Sequence, residues 1–372
     1  MHERLNNEEI ENQGIAIIQC LTDCCLLEKI DESYSKIKVH DVVRDAVIWI
    51  ANSNGSQCRS LVRSGIQLTR ITNEEFSHSN YKRFSFMHNE ITELPAASCV
   101  QCSEASTLLL QRNRLLKIIP TSFLEGFKSL KILDLSDTSI KSLPSVNQLR
   151  ALILNGCGSL KELPALDGLS GLLVLDCCDA PITPFPYVGI SRLHKLEYLD
   201  LMLPPETPLD GQRIFEEVLP LLEHLTVFHA LLDKCPPIGN EHLNLLERIK
   251  HFSLRTRMSF VDVKWDNYVY FVRFEWPIEL IERSLRKSPR WLFDECAKNV
   301  LAQTVKTVAR SRCFSSVKFL SIQSASFNLK DDQGICATFD LLPNLEEIEL
   351  FSVSGLDSVS ELGLIFGTSF LS

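Results

Sequence analysis

The sequence predicts an α/β solenoid (a horseshoe-like stack of short parallel strands with irregular return segments), led by a partial winged-helix module. Three observations carry this expectation. A short core of alternating apolar residues recurs from Phe84 onward, most early copies close on a proline, and the first 52 residues read helix, hairpin, helix.

The leading module spans 1–52. "NEEIENQGIAIIQCLTDCCLLE" sets Ile10, Gly14, Ile17, Leu21 and Cys25 on one face at steps of three and four, which predicts an amphipathic helix. "LLEKIDESYSKIKV" predicts two short strands joined by the turn Asp31-Glu32-Ser33. Asp41 is placed to cap a second helix whose Val43, Val47 and Ile50 form its buried stripe. A polar linker follows, starting with "NSNGSQ" and assigned to 53–80.

The repeats are assigned to 81–257. "LKILDLSDTSIKSLP" orders Leu130, Leu133, Leu135, Thr138, Ile140, Leu143 and Pro144, and "LRALILNGCGSLKELP" reproduces the order from Leu149 to Pro164. Markers at Phe84, Leu108, Leu133, Leu152, Leu175 and Leu199 advance by about 23 residues per copy, inside the 20–29-residue window of leucine-rich repeats. Each L-x-L core makes a strand whose leucines point inward while the x residues face the concave side. At the next anchor stand Asn89, Asn113, Thr138, Cys157 and Ala180, where an Asn or Cys can satisfy the backbone as it leaves the strand.

Downstream the copies loosen, with cores expected at Leu225, Phe252, Leu320 and Ile348. Residues 258–313 are assigned to an insertion or irregular repeats, and 314–372 to further repeats. "LGLIFGTSFLS" stops mid-pattern without the polar cap a solenoid normally carries, which gives the expectation of a truncated end.

Composition narrows the function classes. A net charge of −9 opposes a dedicated nucleic-acid binder. The segment "HDVVRDAVIWIA" offers a DNA groove only Arg44, offset by Asp41 and Asp45. No apolar run nears the roughly 18 residues of a membrane span, and the start lacks a secretory core. The 13 cysteines show no disulfide framework, and the lone Cys99-x-x-Cys102 lacks the second pair zinc needs. Cytoplasmic localisation is the resulting expectation. No G-x-S-x-G elbow or H-E-x-x-H helix is present, so no catalytic residues are assigned and no enzyme is expected.

"GIAIIQCLTDCCLLE", "KVHDVVRDAVIWIA" and "LLLQRNRLLKIIPTSFLEGFKSLKILDLSDTSIKSLP" together resemble one family. The chain is similar to the coiled-coil nucleotide-binding leucine-rich-repeat disease-resistance proteins of plants, covering the end of their nucleotide-binding module and their repeats. The resemblance implies that Val39-His40-Asp41 matches the family's Met-His-Asp block, with Val at the first position. It also implies that His40, with Asp41, senses ADP phosphate in a receptor that exchanges ADP and ATP. An imidazole at a helix start can donate to a phosphate the helix dipole already favours. None of the 15 glycines precedes a lysine, so the phosphate-cradling loop is absent here and expected upstream of Met1.

The x residues complete the reading. Asp134, Asp176 and Asp200 share one slot and should stack into an acidic column interrupted by Ile153. Farther on the sign reverses at Arg248, Lys250, Arg255 and Arg257. The column is a candidate surface for a pathogen effector, a guarded host protein or the receptor's own nucleotide-binding module; its bland alternative is a solvated face. A substrate-recruiting repeat adaptor, an extracellular repeat receptor and a nucleotide-dependent switch are the other readings.

Overall fold

In a computed structural model the described residues are 7–29, 37–52, 59–76, 81–95, 100, 102–233, 240–256, 260–263, 269–272, 290–294, 319–323 and 347–351. Helix α1 (Asn7–Asp23), strands β1 (Leu27–Lys29) and β2 (Ile37–Val39), and helix α2 (Asp41–Asn52) come first. β1 and β2 pair antiparallel, with Glu28 opposite Lys38. The expected turn at 31–33 lies outside the described residues.

Fourteen strands follow in one sheet, ordered as in the sequence. Its first half is β3 (Ser60–Val62), β4 (Arg83–Ser85), β5 (Thr107–Leu109), β6 (Ile132–Asp134), β7 (Ala151–Ile153), β8 (Val174–Asp176) and β9 (Tyr198–Leu201). Its second half is β10 (Val227–Leu232), β11 (His251–Thr256), β12 (Phe260–Val263), β13 (Val269–Val272), β14 (Arg290–Asp294), β15 (Phe319–Gln323) and β16 (Glu347–Phe351). All neighbours are parallel except at β12, which runs antiparallel to both β11 and β13. β3 is already a rung of this sheet, so the strand stack reaches back into the stretch read as linker. "LGLIFGTSFLS", the 278–288 segment and residues 53–58 lie outside the described residues.

The register shows why leucine repeats every 23 or so residues. Leu61, Phe84, Leu108, Leu133, Leu152, Leu175, Leu199, Phe228 and Phe252 are successive pairing partners in one inward row. From Phe84 to Phe252 they are essentially fully buried, and each such side chain contributes on the order of 2 kcal/mol of apolar transfer. Leu320 and Ile348 pair with each other as expected. Leu225 does not belong to the row: it is buried three residues earlier, and Phe228 is the partner of Leu199. The L-x-x-L-x-L pattern gives two leucine frames three apart, and "LEHLTVF" hides the right one behind a phenylalanine.

Each early rung leaves its strand through one left-handed residue. His88, Arg112, Asp137, Gly156 and Asp179 have φ of 56, 61, 55, 71 and 56°, each immediately before the second anchor. The anchors then take up the turning backbone, as expected. Asn113 is fully buried; its Nδ2 donates to Phe86 O (2.9 Å) and Leu110 O (2.7 Å), and its Oδ1 accepts from Ile91 N–H (3.2 Å). Asn89 does the same one rung earlier, Thr138 donates to Leu135 O (2.7 Å), and the Cys157 thiol points to that carbonyl at 3.1 Å. Behind the first rungs Phe76, Phe84, Phe123 and Phe127 form an aromatic cluster with centroids 5.3–5.9 Å apart.

α2 departs from expectation. Val43 is half-buried, but Val47 and Ile50 are 56% and 49% exposed, so the anticipated stripe is open. In α1 Ile17 is exposed as well. The hairpin is a two-stranded ribbon and does not supply a layer broad enough to cover both helices.

Candidate functional site

The outward residues of the rungs also fall into rows. Leu109, Asp134, Ile153, Asp176, Asp200, His229 and Ser253 are successive pairing partners on the concave face. The acidic column, with Ile153 as its interruption, therefore exists as a geometric feature.

These aspartates do structural work that the x positions were not expected to do. The Oδ1 of Asp134 accepts from Ser136 N–H (2.9 Å) and its hydroxyl (2.6 Å). Asp176 Oδ1 accepts from Cys178 N–H at 3.0 Å, and Asp200 Oδ1 from Met202 N–H at 2.9 Å. All three make the same turn, a carboxylate satisfying the peptide two residues on as the chain leaves the sheet. Asp200 is only 7% exposed, whereas Asp134 and Asp176 are half-buried.

Sequence reasoning missed the two residues that surround Asp200. His229 Nδ1 lies 2.8 Å from Asp200 Oδ2, and the Tyr198 hydroxyl donates to the same oxygen at 3.4 Å. The Tyr198 and His229 rings meet edge-on at 5.9 Å. Burial pushes the Asp176 carboxyl above the usual carboxylate range, with the neighbouring Asp200 charge adding to it. Burial likewise raises the Tyr198 hydroxyl, again with help from Asp200. Had Phe228 been taken as the anchor of its repeat, His229 would have fallen in the Asp200 slot directly.

Because the folded pKa of Asp176 lies above its free value, the fold disfavours the charged form, and this penalty is fully present at neutral pH. Asp176→Asn keeps the acceptor for Cys178 and removes the charge. It is expected to leave the melting temperature unchanged or slightly raised at pH 7, whereas Asp176→Ala costs about 1 kcal/mol, a contrast readable by thermal denaturation.

The other expected sites are separate from this face. His40 immediately precedes α2 and caps it itself: Val42 N–H points to His40 Nδ1 at 3.3 Å. Asp41, expected to cap, is instead the first helical residue and pairs with Arg44 at 2.9 Å. Both are exposed, Asp41 being spent on its own helix. Among the described residues these two side chains present one exposed imidazole and one carboxylate paired with Arg44. Arg248 and Lys250 are exposed, whereas Arg257 lies outside the described residues. Cys102, Cys157 and Cys177 are buried, and Cys99 lies outside the described residues. Among the described residues no helix is long and apolar enough to cross a membrane.

No family model matches the chain. The disease resistance protein At4g27190 of Arabidopsis thaliana is 31% identical over 422 aligned residues, covering 97% of this chain. The chain belongs to the plant disease-resistance proteins of the nucleotide-binding leucine-rich-repeat type. The resistance proteins At4g27220 (probable) and RPS5 of the same plant are 39% and 33% identical over 44% and 54% of the chain. The chain spans 41% of the length of At4g27190, and its matches cover 18% and 20% of the other two. Among solved structures, human 5T4 aligns with TM-score 0.40 at 15% identity, covering 72% of this chain and 89% of its own. InlJ of Listeria monocytogenes aligns with TM-score 0.39 at 13% identity, covering 85% of this chain and 67% of its own. The repeat assignment in this resistance protein rests on its own strand register.

Proposed function

We propose that this resistance protein serves recognition in plant innate immunity, with no chemistry of its own. Its concave face binds a pathogen effector, a guarded host protein or the receptor's own nucleotide-binding module. The observation that supports this reading is the ordered outward row, whose acidic members Asp134 and Asp176 remain partly accessible on either side of Ile153. A basic partner surface would relieve the repulsion among like charges stacked along the solenoid. The family's cytoplasmic setting belongs to the same proposal.

The combined change Asp134→Asn, Asp176→Asn and Asp200→Asn tests it, because each Asn keeps the turn-making acceptor. Binding is measured against a panel of secreted pathogen proteins and a separately expressed nucleotide-binding module. Association with the true partner is expected to slow about tenfold at low salt and to lose most of its salt dependence. Equal rates for parent and variant across ionic strengths would reject the acidic column as the contact.

The helix–hairpin–helix start is read as the winged-helix end of the nucleotide-binding module, with His40 and Asp41 as its nucleotide-sensing block. One phosphate contact contributes on the order of 1–3 kcal/mol, against roughly 8 for micromolar affinity. Calorimetry of the full chain with ADP is therefore expected to show no micromolar binding. Micromolar binding lost in His40→Ala would contradict this.

A further inference from the structure

α2 is fastened to the repeats in a way its side chains do not announce. Val42, Val47, Trp49 and Ile50 are exposed, and Ala51 is the one buried residue of the helix. Val43 and Ile48 are half-buried, so apolar packing supplies only part of the attachment. At the last residue the chemistry changes. Asn52 Oδ1 accepts from Val62 N–H at 2.7 Å, and Asn52 Nδ2 donates to Val62 O at 2.9 Å.

Val62 belongs to β3, the outermost strand of the sheet. The next peptide along, Arg63 N–H, donates to Ser85 O of β4 at 2.8 Å. Alternate peptides of a strand point to opposite sides, so the N–H and C=O of Val62 face the free edge. An open edge needs partners for both groups and otherwise invites pairing with another chain. A primary amide supplies one donor and one acceptor at that spacing, as an added strand would. Asp offers only acceptors, and Ala offers neither.

We infer that Asn52 is a latch: it closes the edge of the sheet at Val62 and fixes the end of α2 against it, and its release loosens α2 while the repeats stay folded. The latch also shapes the space beside it. An open groove of about 870 Å³ lies between α2 and the first rungs, with Arg44 and Trp49 on one wall and Arg63, Ile66 and Met87 on the other. That groove persists only while the latch holds. The inference is independent of what the concave face binds.

The test uses the full chain with fluorophores introduced through non-canonical residues at Asp45 and Lys117, together with amide hydrogen exchange. In Asn52→Ala the Val62 amide is expected to exchange about tenfold faster, the inter-label distance to broaden, and the repeat melting transition to shift by less than about 2 °C. Asn52→Asp retains the acceptor for Val62 N–H, so Val62 protection is largely kept while the distance distribution broadens part-way. An unchanged distance distribution in Asn52→Ala would overturn the latch, since other contacts would then hold α2. Lost protection spreading to the amides of Leu133 and Leu152 in either variant would also overturn it, by making Asn52 part of the repeat fold itself.

Discussion

Leu133→Asp and Leu152→Asp are each expected to abolish the cooperative unfolding transition of the repeats at room temperature. The two leucines are consecutive members of the inward row and are fully buried. Truncating such a leucine alone costs about 2–5 kcal/mol through lost transfer energy and the cavity left behind. The aspartate adds a carboxylate with no partner in an apolar layer, so it must either remain charged at several kcal/mol or take up a proton against its ordinary pKa. The sum approaches the whole stability of an ordinary domain, about 5–15 kcal/mol. Rungs contact only their neighbours, so damage at one rung removes the support of the next. Loss of the circular dichroism melting transition in both variants is the expected result. Parental melting of either would contradict the register.

Asn113→Ala is expected to lower the melting temperature by about 6–12 °C. Its amide serves Phe86 O, Leu110 O and Ile91 N–H, all in the dry interior between two rungs. Removing the side chain strands buried peptide groups at about 1–3 kcal/mol each, and partial relaxation leaves roughly 3 kcal/mol in total. For a domain of this size each kcal/mol moves the midpoint by about 2–4 °C. Asn113→Thr should fall between, because Thr138 shows that a hydroxyl at this position reaches the strand carbonyl three residues back. Scanning calorimetry of the two variants decides it; an unchanged midpoint in Asn113→Ala would mean that the Asn side chains do not carry the turn.

The repeat core was legible because period and residue type coincide. From Phe84 to Leu199 each marker residue is a register partner of the next, and Asn89, Asn113, Thr138 and Cys157 all hold the backbone as it turns. Legibility failed where two frames of the motif overlap, so that Leu225 masked Phe228 and with it His229. It failed again at the aspartates, where a side chain that repeats for local hydrogen bonding looks the same in sequence as one that repeats for binding. At Asp41 the residue types suggested the wrong cap, since His40 takes the Val42 N–H and Asp41 turns to Arg44. Nothing in the spacing pointed to Asn52, because its partner Val62 is ten residues away across the polar stretch.

The central claim, that the concave face of the repeats is the recognition surface, meets its most direct test in site-specific photo-crosslinking within pathogen-challenged plant cells. A crosslinker replacing Ala151 sits on the concave strand β7, whereas one replacing the exposed Glu162 sits on the return segment. The account predicts a discrete adduct from the Ala151 position after challenge, weakened when the three column aspartates are changed to Asn. An adduct of the same mass formed equally, or only, from the Glu162 position would contradict it.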